Sequence, residues 1–224
     1  MNEQQLTLPE EFQWYERQQQ LSHYLASEEP ALLATALEIF LEQHAQLYSP
    51  NGLAQSALAG LSDEQWRLKP EPGTNSVAWL VLHMARIEDV AFNLLVMERA
   101  QVFDSWFEHL GFDRRDVGTG MSDEEVLELS TTIHLRALRA YWSAVGQTTQ
   151  DLARALHPAT LKERPDKRNI QRLFDEGAVT PQLAELALWW EQQTKGMLLF
   201  QPISRHTFWH LHEIRQVRER FSVS

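Results

Sequence analysis

NSVAWLVLHMARIEDVAFNLLVMER, residues 75–99, carries the reading of the fold. Val77, Leu80, Met84, Ile87, Ala91 and Leu94 recur at spacings of three and four, which lines one face of a helix. Asn75 or Ser76 supplies the N-cap. The loop before it, Lys69–Thr74, holds Pro70, Pro72 and Gly73 and ends anything helical upstream. The same spacing occurs earlier, where Leu33, Leu37, Phe40, His44 and Leu47 predict a helix over 31–48, stopped by Ser49, Pro50, Asn51 and Gly52. Ser62 and Gln65 stand at capping-box spacing ahead of a short turn through Trp66. Ser122 and Glu125 repeat that pattern and open a helix to about Leu156. Thr180 and Pro181 open a further run, with Leu183, Leu186, Ala187 and Trp190 on its apolar face. Gly196 and Pro202 are expected to divide that run from a last helix over 203–221. Stretches rich in Val, Ile and Thr with period-two alternation do not occur. The expected fold is therefore all-α: an appended N-terminal arm over 1–30 with a helix around Phe12 to Leu25, then a four-helix bundle domain over 31–224. A long connection, Ala155–Val179, precedes its last helical run.

A chain of 224 residues suffices for one well-cored domain or two small ones. Its 43% hydrophobic and 23% charged residues exclude wholesale disorder. Without cysteine there is no disulfide, thiolate metal site or cysteine nucleophile. The net charge of −11 falls entirely on residues 1–112, which hold 5 basic and 16 acidic side chains, while the second half is balanced. That balance speaks against a nucleic-acid partner. Lys162, Arg164, Lys167, Arg168 and Arg172 form one basic cluster, diluted by Glu163 and Asp166, and read first as an ion-paired loop. No apolar run approaches the roughly 20 residues of a membrane span. The opening residues lack the basic start and apolar core of a signal peptide. The expectation is a soluble cytoplasmic protein with no membrane partner, and its many tryptophans make a homodimer the expected assembly.

Three of the nine histidines stand out. His206 and His210, four apart, share one face of the last helix, where Ile203, Thr207, His210, Ile214, Val217 and Phe221 form the inward seam. Two imidazoles so placed can chelate one ion if a third ligand arrives from elsewhere, and they read equally as core-edge residues. The metalloprotease pattern is absent, because Thr207 stands where that pattern has its glutamate. His83, three after Leu80 and four before Ile87, is the third candidate. His44 and His134 read as core histidines, and His23, His109 and His157 as exposed ones. Glu213 is placed to accept an imidazole N–H or to pair with Arg86 or Arg215. Trp79, Trp142, Trp190 and Trp209 read first as core and second as pocket walls.

GLSDEQWRLKPEPGTNSVAWLVLHMARIED, residues 60–89, resembles the DinB/YfiT-like family of metal-dependent four-helix bundles, and HTFWHLHEI, residues 206–214, resembles that family's final-helix motif. The resemblance covers about residues 30–221. It implies a three-histidine metal site, His83 with His206 and His210, completed by water or substrate. Such a site suits Zn²⁺ or Ni²⁺ and also accepts Fe²⁺ or Mn²⁺. It implies further a metal-dependent enzyme on a small-molecule substrate, either a thiol S-transferase using a low-molecular-weight thiol or a hydrolase. The competing expectation is a non-catalytic stress-response or interaction module whose histidines are structural. His212 departs from the family pattern, which has a small residue there, and is expected to crowd or extend the metal's surroundings.

Overall fold

Proline opens both N-terminal helices, at the position where a missing N–H costs no helical hydrogen bond. These are α1 (Pro9–Leu25) and α2 (Pro30–Leu47) in the computed structural model, which describes residues 9–71 and 73–221. Two short helices follow, α3 (Leu53–Leu58) and α4 (Asp63–Arg67). The second is closed at its start by the expected capping box of Ser62 and Gln65. Ser76 caps α5 (Val77–Asp89) by accepting from the Trp79 N–H at 3.0 Å, and α5 continues into a π-helix, Val90–Val96. After the short α6 (Phe107–Leu110) come α7 (Asp123–Thr132), α8 (Leu135–Ala153), α9 (Lys167–Asp175) and α10 (Ala184–Gln192). The chain ends in one uninterrupted helical stretch made of α11 (Lys195–Leu198), a second π-helix (Leu199–Arg205) and α12 (His206–Phe221). No strand occurs among the described residues.

Helices α2, α8, α5 and α12 form the four-helix bundle. α2 packs on α8, α8 on α5 and α5 on α12, and the π-helix Leu199–Arg205 returns to α2 and closes the ring. The core has two apolar halves. One gathers Trp66, Leu80, Met84, Trp142 and Phe208; the other gathers Phe40, Phe92, Trp190, Leu198 and Ile203. Between them α5 carries a buried polar layer, Arg86, Glu88 and Asp89. Asp89 accepts from the Val102 and Phe103 N–H groups, from Tyr141 Oη and from Asn93, all at 2.8–2.9 Å. Arg86 donates to Gln101 and to the Arg115 carbonyl, with its guanidinium 3.7 Å from the Phe103 ring centroid. Every residue of α5 is buried, so this helix has no solvent face at all.

Several boundaries differ from the expected ones, each for a physical reason. The second bundle helix leaves α geometry at Val90 and stops at Val96, short of Arg99. The helix expected over 122–156 is broken at Ile133 and His134, where the His134 N–H leaves the helical ladder for the Leu110 carbonyl. That exchange also puts His134 at the surface rather than in the core. The last helix starts at Lys195, capped by Thr194, and runs through both Gly196 and Pro202. Its break lies instead at Gln193 and Thr194, because a π stretch offsets the carbonyls that an α-helical proline ring would strike. The N-terminal segment holds a packed helix: Trp14, Leu21 and Leu25 of α1 are buried. Pro72 lies outside the described residues. The Ala155–Val179 connection contains a 3₁₀ turn (Pro158–Lys162) and α9.

Gly146 of α8 marks the closest approach of α2's end to the bundle. A Cβ there would lie 2.5 Å from the Tyr48 ring, and the Tyr48 hydroxyl is tied to Glu88 at 2.8 Å. In an open helix Gly→Ala stabilises by up to about 1 kcal/mol. Here G146A should destabilise by about 1–3 kcal/mol through overpacking. The urea unfolding midpoint reads the sign; an unchanged or raised midpoint would mean the Tyr48 ring is free to move aside.

Candidate metal centre

His83 lies at the middle of α5 with its ring fixed from two sides. Its Nδ1 is 2.6 Å from the Val117 carbonyl oxygen, and since a carbonyl only accepts, Nδ1 carries the proton and Nε2 keeps a bare lone pair. Trp79, one turn earlier, stacks on the imidazole with centroids 4.6 Å apart and planes 17° from parallel. The loop that presents Val117 is itself held. The Val117 N–H donates to the Ala178 carbonyl, and Asp116 Oδ1 accepts from the Gly118 N–H at 2.7 Å. Gly118 sits at φ +80°, a left-handed turn that glycine takes without strain.

His206 and His210 occupy the first turns of α12, one helical turn apart on one face. His210 Nδ1 donates to Glu213 Oε2 at 2.9 Å, which also leaves its Nε2 bare. The Nε2 atoms then converge: His206 to His83 at 3.0 Å and His206 to His210 at 3.0 Å. Protons cannot satisfy this arrangement. Neutral His206 owns a single N–H, so at most one of the two contacts is a linear hydrogen bond, while its Nδ1 is buried with no partner. A cation between the three lone pairs satisfies all of them. Tetrahedral zinc at about 2.0–2.1 Å from each nitrogen would set the nitrogens about 3.3 Å apart. The ligand atoms of the three residues lie within 4.8 Å of one another, so the cluster can hold a metal ion.

The surroundings keep two of these rings, His83 and His206, neutral. Burial, helped by the nearby His210, lowers the His83 pKa to about 3 against an offsetting bond to Val117. Burial and the two neighbouring imidazoles push His206 well below its ordinary value. Neutral imidazole is the form that ligates metal. For the metal-free protein the sign of the pH dependence follows. Below about pH 6.5 the unfolded chain protonates His83 and the folded chain does not. Stability should therefore decline from about pH 6.5 toward pH 3, at about 1 kcal/mol per pH unit for such a ring. Urea unfolding in the presence of a chelator, at pH 7.5, 6 and 5, checks this. H83Q should flatten the decline, and an equally steep decline in that variant would exclude His83 as its source.

A cavity of about 430 Å³ opens beside the cluster and is lined by His83 and His206 together with Ile87, Leu186, Trp189, Trp190 and Trp209. Thr119, Gln201 and Arg205 are its polar lining, and no carboxylate among the described residues lines it. Of the four tryptophans singled out in the sequence, Trp190 and Trp209 face this cavity and Trp79 supports His83. Trp142 packs on Tyr48 elsewhere. Trp189, Arg205 and the Val117 carbonyl carry no sequence signal that marks them. His212 points away from the cluster, bonded to Glu11 of α1 at 3.0 Å and to Gln216 at 3.1 Å, so it neither crowds nor extends the site. Arg215 pairs with the same Glu11, and Arg86 belongs to the Asp89 network, which leaves Glu213 to His210. His44 is a buried histidine in contact with Glu88 at 2.8 Å. The basic cluster is ion-paired, Lys162 with Glu28, Arg168 with Asp166 and Arg172 with Glu176.

Glu213 fixes the tautomer of His210, a role that commonly carries 10–100-fold in metal affinity. E213A should weaken Zn²⁺ binding by about that factor while leaving the helix content unchanged. Competition with a chromophoric chelator measures it; unaltered affinity would mean that the carboxylate does not orient the ring.

A sequence profile of the DinB superfamily matches residues 51–193, which include His83 and all of α5 but end before His206 and His210. No curated protein matches the chain. The profile covers well over half of the chain and agrees with the helical bundle described above, so the chain belongs to the DinB superfamily.

Proposed function

We propose that this protein is a metal-dependent enzyme on a small molecule, with His83, His206 and His210 as ligands and the remaining coordination position turned to the tryptophan-lined cavity. The observation that carries this reading is the convergence of three Nε2 atoms, two of them with fixed tautomers, beside a cavity of about 430 Å³ that His83 and His206 line. Three neutral ligands leave a divalent ion its full charge, which lowers the pKa of any water or thiol it holds. Either bound nucleophile would ionise near neutral pH beside such an ion. Transfer of a small thiol to an electrophile is the reaction this reading puts first, with hydrolysis second, and the cysteine-free chain offers no competing thiol.

One observation favours the second reading, a non-catalytic module with structural histidines: His83 is bonded to backbone and His206 contacts both other rings. The orphaned His206 Nδ1 and the adjoining cavity weigh against it.

Elemental analysis of the untagged protein and of H83A/H206A, after reconstitution with Zn²⁺ or Ni²⁺, tests the reading. So does conjugation of glutathione or cysteine with 1-chloro-2,4-dinitrobenzene. Near-stoichiometric metal and metal-dependent conjugation are expected in the parent, and neither in the double variant. A parent that holds no metal after reconstitution would overturn the proposal.

A further inference from the structure

Arg205 is the residue before His206, and it lines the same cavity. Four arginines have no side-chain partner among the described residues: Arg99, Arg136, Arg164 and Arg205. The first three are exposed and solvated by water; Arg205 is half-buried. In a chain with 31 acidic against 20 basic side chains, a carboxylate partner would be easy to supply, yet none lines this cavity. A guanidinium drawn partly out of water and left unpaired is costly, so the arrangement makes sense when an anion arrives from outside.

The rest of the cavity says what that anion is attached to. Trp189, Trp190 and Trp209 line it; Trp189 remains 40% exposed, while Trp190 is fully buried. Flat aromatic walls suit a flat apolar body. A single arginine fork matches the two oxygens of a carboxylate. A phosphate dianion would call for further cations, and Arg205 is the cavity's one cationic side chain among the described residues. We propose that the cavity binds a planar, apolar carboxylate, with its carboxylate on Arg205 and its ring system among the tryptophans. This names the class of molecule the cavity takes and stands apart from the metalloenzyme reading.

The test is calorimetric titration of the zinc-reconstituted and the metal-free protein with 1-naphthoate and with its neutral counterpart 1-naphthamide. Naphthoate should bind both forms, at least about tenfold tighter than naphthamide. R205Q should lose about 10- to 100-fold in naphthoate affinity, the worth of a charge-assisted hydrogen-bond pair. Its naphthamide affinity and zinc content should stay as in the parent, which shows that the variant is folded. R205K should recover part of the loss. Equal binding of the two ligands by the parent, or naphthoate binding undiminished in R205Q, would overturn the proposal. Naphthoate binding confined to the zinc form would do the same, because the carboxylate would then be on the metal. A parent that takes up no metal yet binds naphthoate through Arg205 would sink the metalloenzyme reading and leave this one standing.

Discussion

A helix with no solvent face must find a protein partner for each polar side chain it carries, and α5 is such a helix. Its polar residues dictate where other segments go. His83 calls for an acceptor at Nδ1, and the loop carrying Val117 is folded down to supply it. Asp89 draws in the Val102 and Phe103 amides and the Tyr141 hydroxyl, which positions the segment after the π-helix and registers α8 against α5. Glu88 reaches the other way, to His44 and Tyr48 at the end of α2. Burial works to raise the Glu88 pKa, but the neighbouring His44 and the hydrogen bonds it accepts prevail and hold it low. One apolar helix with a few obligatory polar contacts thus specifies four of its neighbours.

The same economy shapes the candidate centre. Burial keeps His83 and His206 neutral, and hydrogen bonds to groups outside the cluster fix the tautomers of His83 and His210. Both are features of the scaffold rather than of a bound ion. The cavity is correspondingly poor in proton-transfer groups. What it offers instead is a tryptophan-lined shape and one cation, so under the proposed function selectivity would come from fit and charge and reactivity from the ion.

Much of this was legible in the sequence, and the limits have physical causes. Capping boxes at Ser62 and Ser122 fixed helix starts because the cap is a local bond between residues three apart. The three-four spacing found α2 and α5, but it understated α5: a stripe describes a helix with one buried face, and this helix is buried on all of them. Pro202 misled, since the penalty for proline applies to α geometry and the chain there is a π-helix. His206 and His210 could be paired from spacing alone, and His83 could be named as a third candidate from its place beside the buried stripe of α5, while joining the three across more than a hundred residues drew on the family resemblance. The Val117 carbonyl could not be read at all, because every residue has one and only the fold selects it. Arg205 was invisible for a related reason: an unpaired cation is defined by what is missing around it in space.

The two π-helices, Val90–Val96 and Leu199–Arg205, sit on the two helical stretches that supply the histidines. A π turn stores one more residue than an α turn, so it acts as slack in the winding of a helix. The slack at Leu199–Arg205 sets the azimuth of everything after it. Rewinding the same residues as α-helix, with none lost, would turn the following face by one residue's worth, about 100° about the helix axis. His206 and His210 would swing away from His83 together, with the apolar seam of α12 swinging out as well. The rotational phase of the last helix is thus a property of seven residues that contain no metal ligand, and a change in how they wind is more consequential for the centre than many substitutions beside it.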